Sequence, residues 1–288
     1  MLPDENIESL GAPLLVTTDF HCHTTASDGS LSPQALIARA IQVGLKTLSI
    51  TDHDTVEAYR QIDSAPEHIR LIPGIELSCQ WQKRGIHIVG LNIDINSTSI
   101  REAEDRQQGA RESRAQMIAE KLENYGVESP LEGAQALANG GSIGRPHFAR
   151  HMVESGFVAN QRIAFKKFLG SGKPCDIKVH WPDLATAIEW IRAAGGVAVL
   201  AHPGKYKMTR TKLVALVTEF RQSGGEAIEV VSGRQIPSQT RDFANLCEQY
   251  DLLASWGSDF HSLDQSWLDL GKYSRVPEHL KPVTDRWP

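Results

Sequence analysis

The feature that most constrains the fold of this chain is a repeated alternation of short apolar runs with helical patterns. Seven runs have the length and composition of buried strands, and helical patterns follow most of them. The predicted strands are Leu14–Phe20, Thr47–Ile50, Leu71–Leu77, Ile86–Leu91, Val197–Ala201, Ala227–Val231 and Leu252–Trp256. This alternation predicts an α/β fold, and about seven strands favour a barrel close to the (β/α)8 type over an open sheet.

The alternation is interrupted between residues 99 and 182. Helical patterns fill this stretch, and no run of β-branched residues divides them. The predicted helices are Ile100–Tyr125, Leu131–Ala138, Pro146–Glu154 and Gln161–Leu169. We therefore expect a metal-binding barrel formed by residues 14–98 and 183–288, with a small helical domain, residues 99–182, inserted as a lid or substrate domain.

Composition narrows the class of protein. Of 288 residues, 41% are hydrophobic and 23% are charged, which is ordinary for a globular protein. The net charge of −5 gives no overall basic field, so local cations or metals would have to hold a nucleic acid. Four cysteines without a CxxC pair favour free thiols. With neither a bilayer-length apolar run nor a signal-peptide pattern, we expect a cytoplasmic protein with no membrane contact, and nothing indicates a stable protein partner.

Polar residues collect at the predicted strand ends, and they are of the types that bind metal. His21 and His23 are spaced i, i+2, so their side chains lie on the same side of an extended segment. The full set comprises six histidines and three carboxylates: His21, His23, Asp28, His53, Glu76, His87, His202, Asp259 and His261. Convergence of these groups at a partly desolvated barrel mouth would cost several kcal/mol each without compensating charge. Divalent metal ions would supply that charge.

The donor set indicates the metals and the reaction. Nitrogen and oxygen donors without thiolate suit Zn²⁺, Mn²⁺ or Fe²⁺. Nine ligands are too many for one ion but suffice for two or three, with a carboxylate such as Glu76 as a bridge. A hydroxide that bridges two ions can attack phosphorus without a protein nucleophile. The set therefore predicts a metal-dependent hydrolase.

The order and spacing of six motifs resemble those of the PHP (polymerase and histidinol phosphatase) phosphoesterases. The chain is most similar to the branch that contains RNase AM and the 3′,5′-nucleoside bisphosphate phosphatases. The motifs, which extend from Asp19 to His261, are DFHCHTTASDG, ITDHD, PGIE, HIVG, LAHPG and GSDFH.

The resemblance implies a distorted (β/α)7 TIM-like barrel with a trinuclear centre, and Mn²⁺ as the preferred ion. It places one ion on His21, His23, Glu76 and Asp259. A second ion shares Glu76 and adds His87 and His202. The third takes Asp28, His53 and His261. The implied activities are removal of the 3′-phosphate from 3′,5′-bisphosphate nucleotides and 5′-to-3′ exoribonuclease trimming of short RNA or RNA 5′ ends.

Three further residues are candidates for contact with the substrate. Arg145 opens a predicted helix, where a guanidinium and backbone N–H groups can jointly hold a phosphate. His147 is a second candidate contact and a candidate acid for the leaving group. Lys205 follows the turn after His202 and is a candidate phosphate ligand.

Three residues beside the predicted ligands are expected to play supporting roles. Asp52 and Asp54 flank His53, and we expect them to orient ligands or cap a helix. Cys22 lies between the first two ligands and is expected to pack in the core.

Three alternatives to a nucleotide phosphoesterase remain open from the sequence. The first is a phosphatase for another phosphomonoester, such as histidinol phosphate. The second is a non-catalytic metal-binding module, against which the complete ligand set argues. The third is an amidohydrolase, which is disfavoured because no strand end carries a lysine suited to carboxylation.

Overall fold

The structure, a computed structural model, describes residues 17–64, 66–177, 181–264 and 268–287. The start of the first predicted strand, residues 14–16, lies outside these ranges. The strands are β1 (Thr18–Asp19), β2 (Thr47–Leu48), β3 (Arg70–Leu71), β4 (Gly74–Trp81), β5 (Arg84–Leu91), β6 (Val197–Leu200), β7 (Ala227–Ser232) and β8 (Leu253–Gly257). The α-helices are α1 (Pro33–Gln42), α2 (Glu57–Arg60), α3 (Thr98–Glu123), α4 (Pro130–Ala138), α5 (Arg145–Glu154), α6 (Gln161–Ala164), α7 (Leu184–Ala193), α8 (Arg210–Gln222) and α9 (Pro237–Tyr250).

The strands form two hydrogen-bonded sheets within one mixed α/β fold. The first is parallel, in the order β1-β2-β3, and the second has the order β4-β5-β6-β7-β8. Two parallel bridges connect the sheets, one between Cys22 and Phe260 and the other between His53 and Glu76. The bridges follow the ends of β1, β2 and β8, so the motif residues at those ends are held against one another.

The strand β5 departs from the expected parallel arrangement, because it pairs antiparallel with both β4 and β6. Gln82 and Lys83, both with positive φ, connect β4 to β5. Two such residues form the tight turn that suits a hairpin, and they leave no room for a crossover helix. The start of β5 therefore lies at the same edge as the ends of the parallel strands. His87 reaches the motif residues from this start, and not from a strand end as predicted.

The predicted strand Leu71–Leu77 is divided into β3 and β4. Pro73 lies at the break and has no N–H to continue the ladder. The helix that follows β1 begins as its sequence predicts. Pro33 occupies the first turn, and the Ser32 hydroxyl accepts a hydrogen bond from the Ala35 N–H.

The inserted helices pack around a core of their own. Its fully buried members include Leu122, Phe148, Met152 and Leu169, from α3, α5 and the π-helical turn after α6. The described part of the stretch, residues 99–177 and 181–182, contains no strand, as predicted. The boundaries at 99 and 182 stay a prediction.

Two further expectations concern the chain as a whole. All four cysteines are free and buried, and Cys22 packs in the core as predicted. Within the described residues, no helix is both long enough and apolar enough to cross a membrane.

Candidate metal centre

The centre of the site is Glu76, the third residue of β4, whose side chain is inaccessible to solvent. Five imidazoles surround its two carboxylate oxygens, and they come from β5 and from the segments after β1, β2 and β6. The nitrogen–oxygen distances are 2.9 Å to His87 Nδ1 and 2.8 Å to His202 Nε2 at Oε1, and 2.9 Å to His53 Nδ1, 3.3 Å to His21 Nε2 and 3.4 Å to His23 Nε2 at Oε2.

A second carboxylate, Asp28, lies in the loop after β1. Its oxygens are 3.5 Å from His261 Nε2, 3.8 Å from His53 Nε2 and 3.9 Å from His23 Nδ1. The turn that presents Asp28 needs a glycine at the next position. A Cβ at Gly29 would lie 2.4 Å from the carbonyl oxygen of His23, so a larger residue would push the loop apart.

The third carboxylate, Asp259, follows β8 and completes the set. Its Oδ1 lies 3.5 Å from both His23 Nε2 and His261 Nδ1, and 3.6 Å from His21 Nε2. Its Oδ2 forms an ion pair with Lys205 Nζ. Asp259 and His202 both have positive φ, at 56° and 29°. Such backbone strain in residues other than glycine is typical of functional sites, where the surrounding structure holds it in place.

The structure thus brings all nine predicted side chains together. Three groups have donor atoms close enough to share an ion: His23, Asp28, His53 and His261; His21, His23 and Glu76; and His53, Glu76 and His87. In this geometry His23, His53 and Glu76 each belong to two groups. The third group pairs His87 with His53, where the resemblance pairs it with His202. The assignment of ligands to particular ions stays a prediction.

Metal ions would fit this donor set, because several of its buried atoms make no hydrogen bond among the described residues. These atoms are His23 Nδ1, Asp28 Oδ1 and His202 Nδ1. A buried polar atom without a partner costs about 1–3 kcal/mol, and more when it is charged. Three such atoms in one cluster of histidines and carboxylates are therefore explained by divalent cations.

The electrostatics of the cluster favour neutral imidazoles at His23, His87 and His261 beside an ionised Glu76, whereas Glu76 and Asp28 raise the pKa of His53 against the effect of burial. Burial lowers the pKa of His87 and of His261 to about 4, and burial together with His261 and His53 keeps the pKa of His23 well below its usual value. Burial opposes ionisation of Glu76, but His53, His21 and His87 together hold its pKa well below the usual range. Neutral histidine and ionised carboxylate are the forms that bind metal.

Two further buried acidic residues form hydrogen bonds to residues of the cluster and of the loop after β1. Glu229 in β7 lies 2.6 Å from His21 Nδ1 and accepts a 2.6 Å hydrogen bond from the backbone N–H of His202. Burial opposes protonation of His21, but Glu229 and Glu76 raise its pKa to about 10. A carboxylate behind a metal-binding histidine fixes the orientation of the ring. Glu229 was not among the predicted site residues, although it is a lone carboxylate inside an apolar strand, and that was the available signal.

Asp52, the second of these acids, holds the loop after β1. It accepts hydrogen bonds from the Thr24 N–H at 2.7 Å, the Thr24 hydroxyl at 2.6 Å and the Ser27 hydroxyl at 2.5 Å. Val56, and not Asp52 or Asp54, is the N-cap of α2. Of the two roles expected for these aspartates, helix capping is therefore wrong, and the contacts of Asp52 suit an orienting role.

A cleft of about 690 Å³ opens beside the cluster, with Asp28, Asp259 and His261 among its lining residues. Three cations, Arg150, Lys205 and Arg234, also line it. Lys205 therefore lies in this cleft, and its role as a phosphate ligand stays a prediction. Arg150 was missed, because only the packing of α5 shows which side of that helix faces the cleft.

Arg145 and His147 have partners of their own at the start of α5. The Arg145 guanidinium donates to the Leu169 carbonyl at 3.1 Å and lies 3.7 Å from Asp176 Oδ1. Three residues of α5 line the cleft, namely Pro146, Arg150 and Glu154, and Arg145 is not among them. His147 Nδ1 accepts a hydrogen bond from the Gly144 N–H at 3.0 Å, and burial lowers the pKa of His147 to about 4.

Comparisons with known proteins show which family and which relatives the chain is similar to. The PHP domain family matches residues 19–154. The "5′-3′ exoribonuclease Rnm" of Escherichia coli K12 is 43% identical, over 94% of this chain and 94% of its own. The "3′,5′-nucleoside bisphosphate phosphatase" of Chromobacterium violaceum is 36% identical, over 93% and 95%. A solved structure described as an amidohydrolase from Chromobacterium violaceum, with bound sulfate and no metal, has a TM-score of 0.87 and 35% identity, and covers 94% of this chain and 96% of its own.

The similarities to the exoribonuclease and the phosphatase extend over nearly the whole chain, and the range matched by the PHP domain family contains both Asp28 and Glu76. The chain belongs to the PHP domain family, in the branch of the 5′-3′ exoribonucleases and the 3′,5′-nucleoside bisphosphate phosphatases.

Proposed function

We propose that this protein is a metal-dependent phosphoesterase of nucleotides and RNA. It removes the 3′-phosphate from 3′,5′-bisphosphate nucleotides and trims short RNA from the 5′ end. The names of the two curated relatives support both substrate classes. Free, buried thiols suit the reducing cytoplasm, where we expect the enzyme to act.

The observation that carries this proposal is the convergence of five imidazoles on the buried Glu76 carboxylate, with Asp28 and Asp259 beside it. Three Mn²⁺ ions fit these donors, with Zn²⁺ or Fe²⁺ as alternatives. When bound, such ions lower the pKa of a coordinated water and shield the charge of the phosphoryl group. The protein's own contribution is to fix nine donor atoms and to hold the substrate beside them.

The hydrogen-bond pattern supports a distorted (β/α)7 barrel beneath the site. We count β3 and β4 as one strand broken at Pro73, and the two bridges then join all strands in a ring. The inserted stretch, residues 99–182, would act as a lid, because its loop before α5 contacts the loop of Asp28. The Ser142 N–H donates to the Ala26 carbonyl at 3.0 Å.

The three cationic side chains that line the cleft bind the phosphates of the substrate. Arg150, Lys205 and Arg234 line the same cleft as Asp28 and Asp259, so they can reach phosphates placed at the metal ions. Hydrogen bonds to ionised phosphate are about twice as strong as those between neutral groups. Arg145 and His147 remain substrate candidates at the start of α5, outside the cleft lining. Arg145 would act through its positive charge, whereas His147, with its pKa lowered to about 4, would act as a neutral hydrogen-bonding group.

The deciding experiment compares substrates side by side on the Mn²⁺-loaded protein. We expect release of phosphate from a 3′,5′-bisphosphate nucleotide, release of 5′ mononucleotides from a 5′-phosphorylated RNA oligomer, and loss of both activities in EDTA with recovery on Mn²⁺ addition. Undiminished turnover of metal-free protein would contradict the proposal.

The same assay distinguishes the alternatives. Faster turnover of histidinol phosphate than of either nucleotide substrate would favour a phosphomonoesterase of another class. Hydrolysis of amide substrates with no action on phosphate esters would favour an amidohydrolase, the description given to the solved relative.

A further inference from the structure

The residue after His53 is held in a strained conformation by the inserted helix α3. Asp54 has φ 59°, which is unfavourable for a residue with a side chain, and it is 4% exposed. Its carboxylate accepts hydrogen bonds from the Ser78 N–H at 2.6 Å, Gln107 Nε2 at 2.7 Å and Arg111 Nε at 2.7 Å. Two of these three donors belong to α3, so the helix fixes the loop that presents His53.

Arg111 also contacts the loop before α5, which lies next to Asp28. Its Nη1 donates to the Ile143 carbonyl at 3.3 Å. A Cβ placed on Gly144 would lie 3.7 Å from Arg111 Nη1 and 3.9 Å from Asp28 Oδ2. One buried guanidinium therefore contacts both the loop of His53 and the loop that covers Asp28.

The arrangement is specific to arginine. The guanidinium donates in fixed directions from Nε and from both terminal nitrogens, which allows it to bind Asp54 and Ile143 at once. It also lies 5.6 Å over the Trp181 ring, which restricts its motion. A lysine ammonium at the same place would be a single point charge and could not bridge the two loops with this geometry.

We propose that Arg111 is a positioning residue for the ion held by Asp28, His53 and His261, so that one metal position depends on a side chain of the inserted helices. The inference rests on the proposed function, because it requires that these three residues bind an ion. Under the ligand assignment that the resemblance implies, in which His53 binds only this ion, metal binding at the other two positions should be independent of Arg111.

The test measures metal binding directly, apart from activity. Arg111→Met should weaken the affinity for one of three Mn²⁺ ions roughly 10- to 100-fold, the usual cost of losing an outer partner of a ligand. The measurements are metal content by mass spectrometry and Mn²⁺ titration. The matched control is Arg114→Met, because Arg114 lies 5.8 Å over the same Trp181 ring but donates from Nε to the Ile177 carbonyl. The control should bind three ions as the wild type does.

Two further variants make the result decisive. Asn tolerates positive φ, so Asp54→Asn should fold, and its loss of affinity should not increase when Arg111→Met is added. If Arg111→Met lacks the wild-type circular dichroism spectrum, Arg111→Lys replaces it, with the same weakening expected.

The outcomes separate this inference from the proposed function. Wild-type protein that binds three ions, together with a folded Arg111 variant that binds all three with unchanged affinity, overturns the positioning role alone. Wild-type protein that binds no ion near Asp28 overturns the proposed function as well. An equal affinity loss in Arg114→Met and Arg111→Met would show general disruption of α3 and would also overturn the inference.

Discussion

Two adjacent parts of the site are held by the chain in different ways. The Glu76 group is Glu76 with the five histidines around it, and the Asp28 group is Asp28 with His53 and His261. Glu76 lies within a strand, is fully buried, and is surrounded by histidines from strands and strand ends. Asp28 lies on a loop, and the inserted chain covers it through Gly144 and Arg111. The sheet therefore supplies most of the contacts that fix the residues around Glu76, whereas Asp28 depends on packing between two parts of the chain.

The largest effect should follow from a change at the shared carboxylate. Glu76→Gln keeps the shape of the side chain but removes the charge that five imidazoles surround. We expect loss of most bound Mn²⁺ and a fall in kcat/KM of more than the roughly 100-fold that loss of an outer partner costs. Metal analysis and phosphate release would measure this. A variant with wild-type activity would remove Glu76 from the ligand set.

A change at Asp28 should have a smaller effect, limited to one of the bound ions. Asp28→Asn should lose one ion while two remain bound, since the strands still hold the Glu76 group. Asp264→Asn is the matched control, because Asp264 lines the same cleft but bonds to Ser262. Loss of all three ions in Asp28→Asn would show that the two groups are not separable.

The carboxylate behind His21 offers a test of the strand-built group. Glu229→Gln should weaken Mn²⁺ binding roughly 10- to 100-fold, because the His21 ring loses its orienting acceptor. Glu226→Gln serves as the control, since Glu226 lies just before the same strand and pairs with Arg286. Equal metal affinity in the two variants would contradict the orienting role of Glu229.

The smallest effect on metal content should come from the cleft cations. Arg150→Gln should leave three ions bound and raise KM for the bisphosphate nucleotide by roughly 10- to 100-fold, the loss of one hydrogen bond to a charged group. Arg162→Gln, at an exposed position in α6, should leave KM unchanged. An unchanged KM for Arg150→Gln would place the phosphate elsewhere.

The difference between the two groups also explains which residues of the site the sequence could predict. Most of the nine predicted ligands lie in or near apolar runs, so local patterns were enough to select side chains that the structure brings together, and their role as ligands stays a prediction. The antiparallel direction of β5 was missed, although the connection from Leu77 to Ile86 is too short for a crossover helix.

Glu229, Arg111 and Arg150 escaped prediction for a different reason. Each lies beside segments that are distant from it in sequence, and a single sequence does not show how inserted helices pack on a sheet.

The most direct test of the metal centre is an anomalous difference map from crystals grown with Mn²⁺. The account predicts three peaks, all within coordination distance of the nine side chains, with Glu76 next to two of them and Asp28 next to the third. A map with no peak near Glu76 would contradict it.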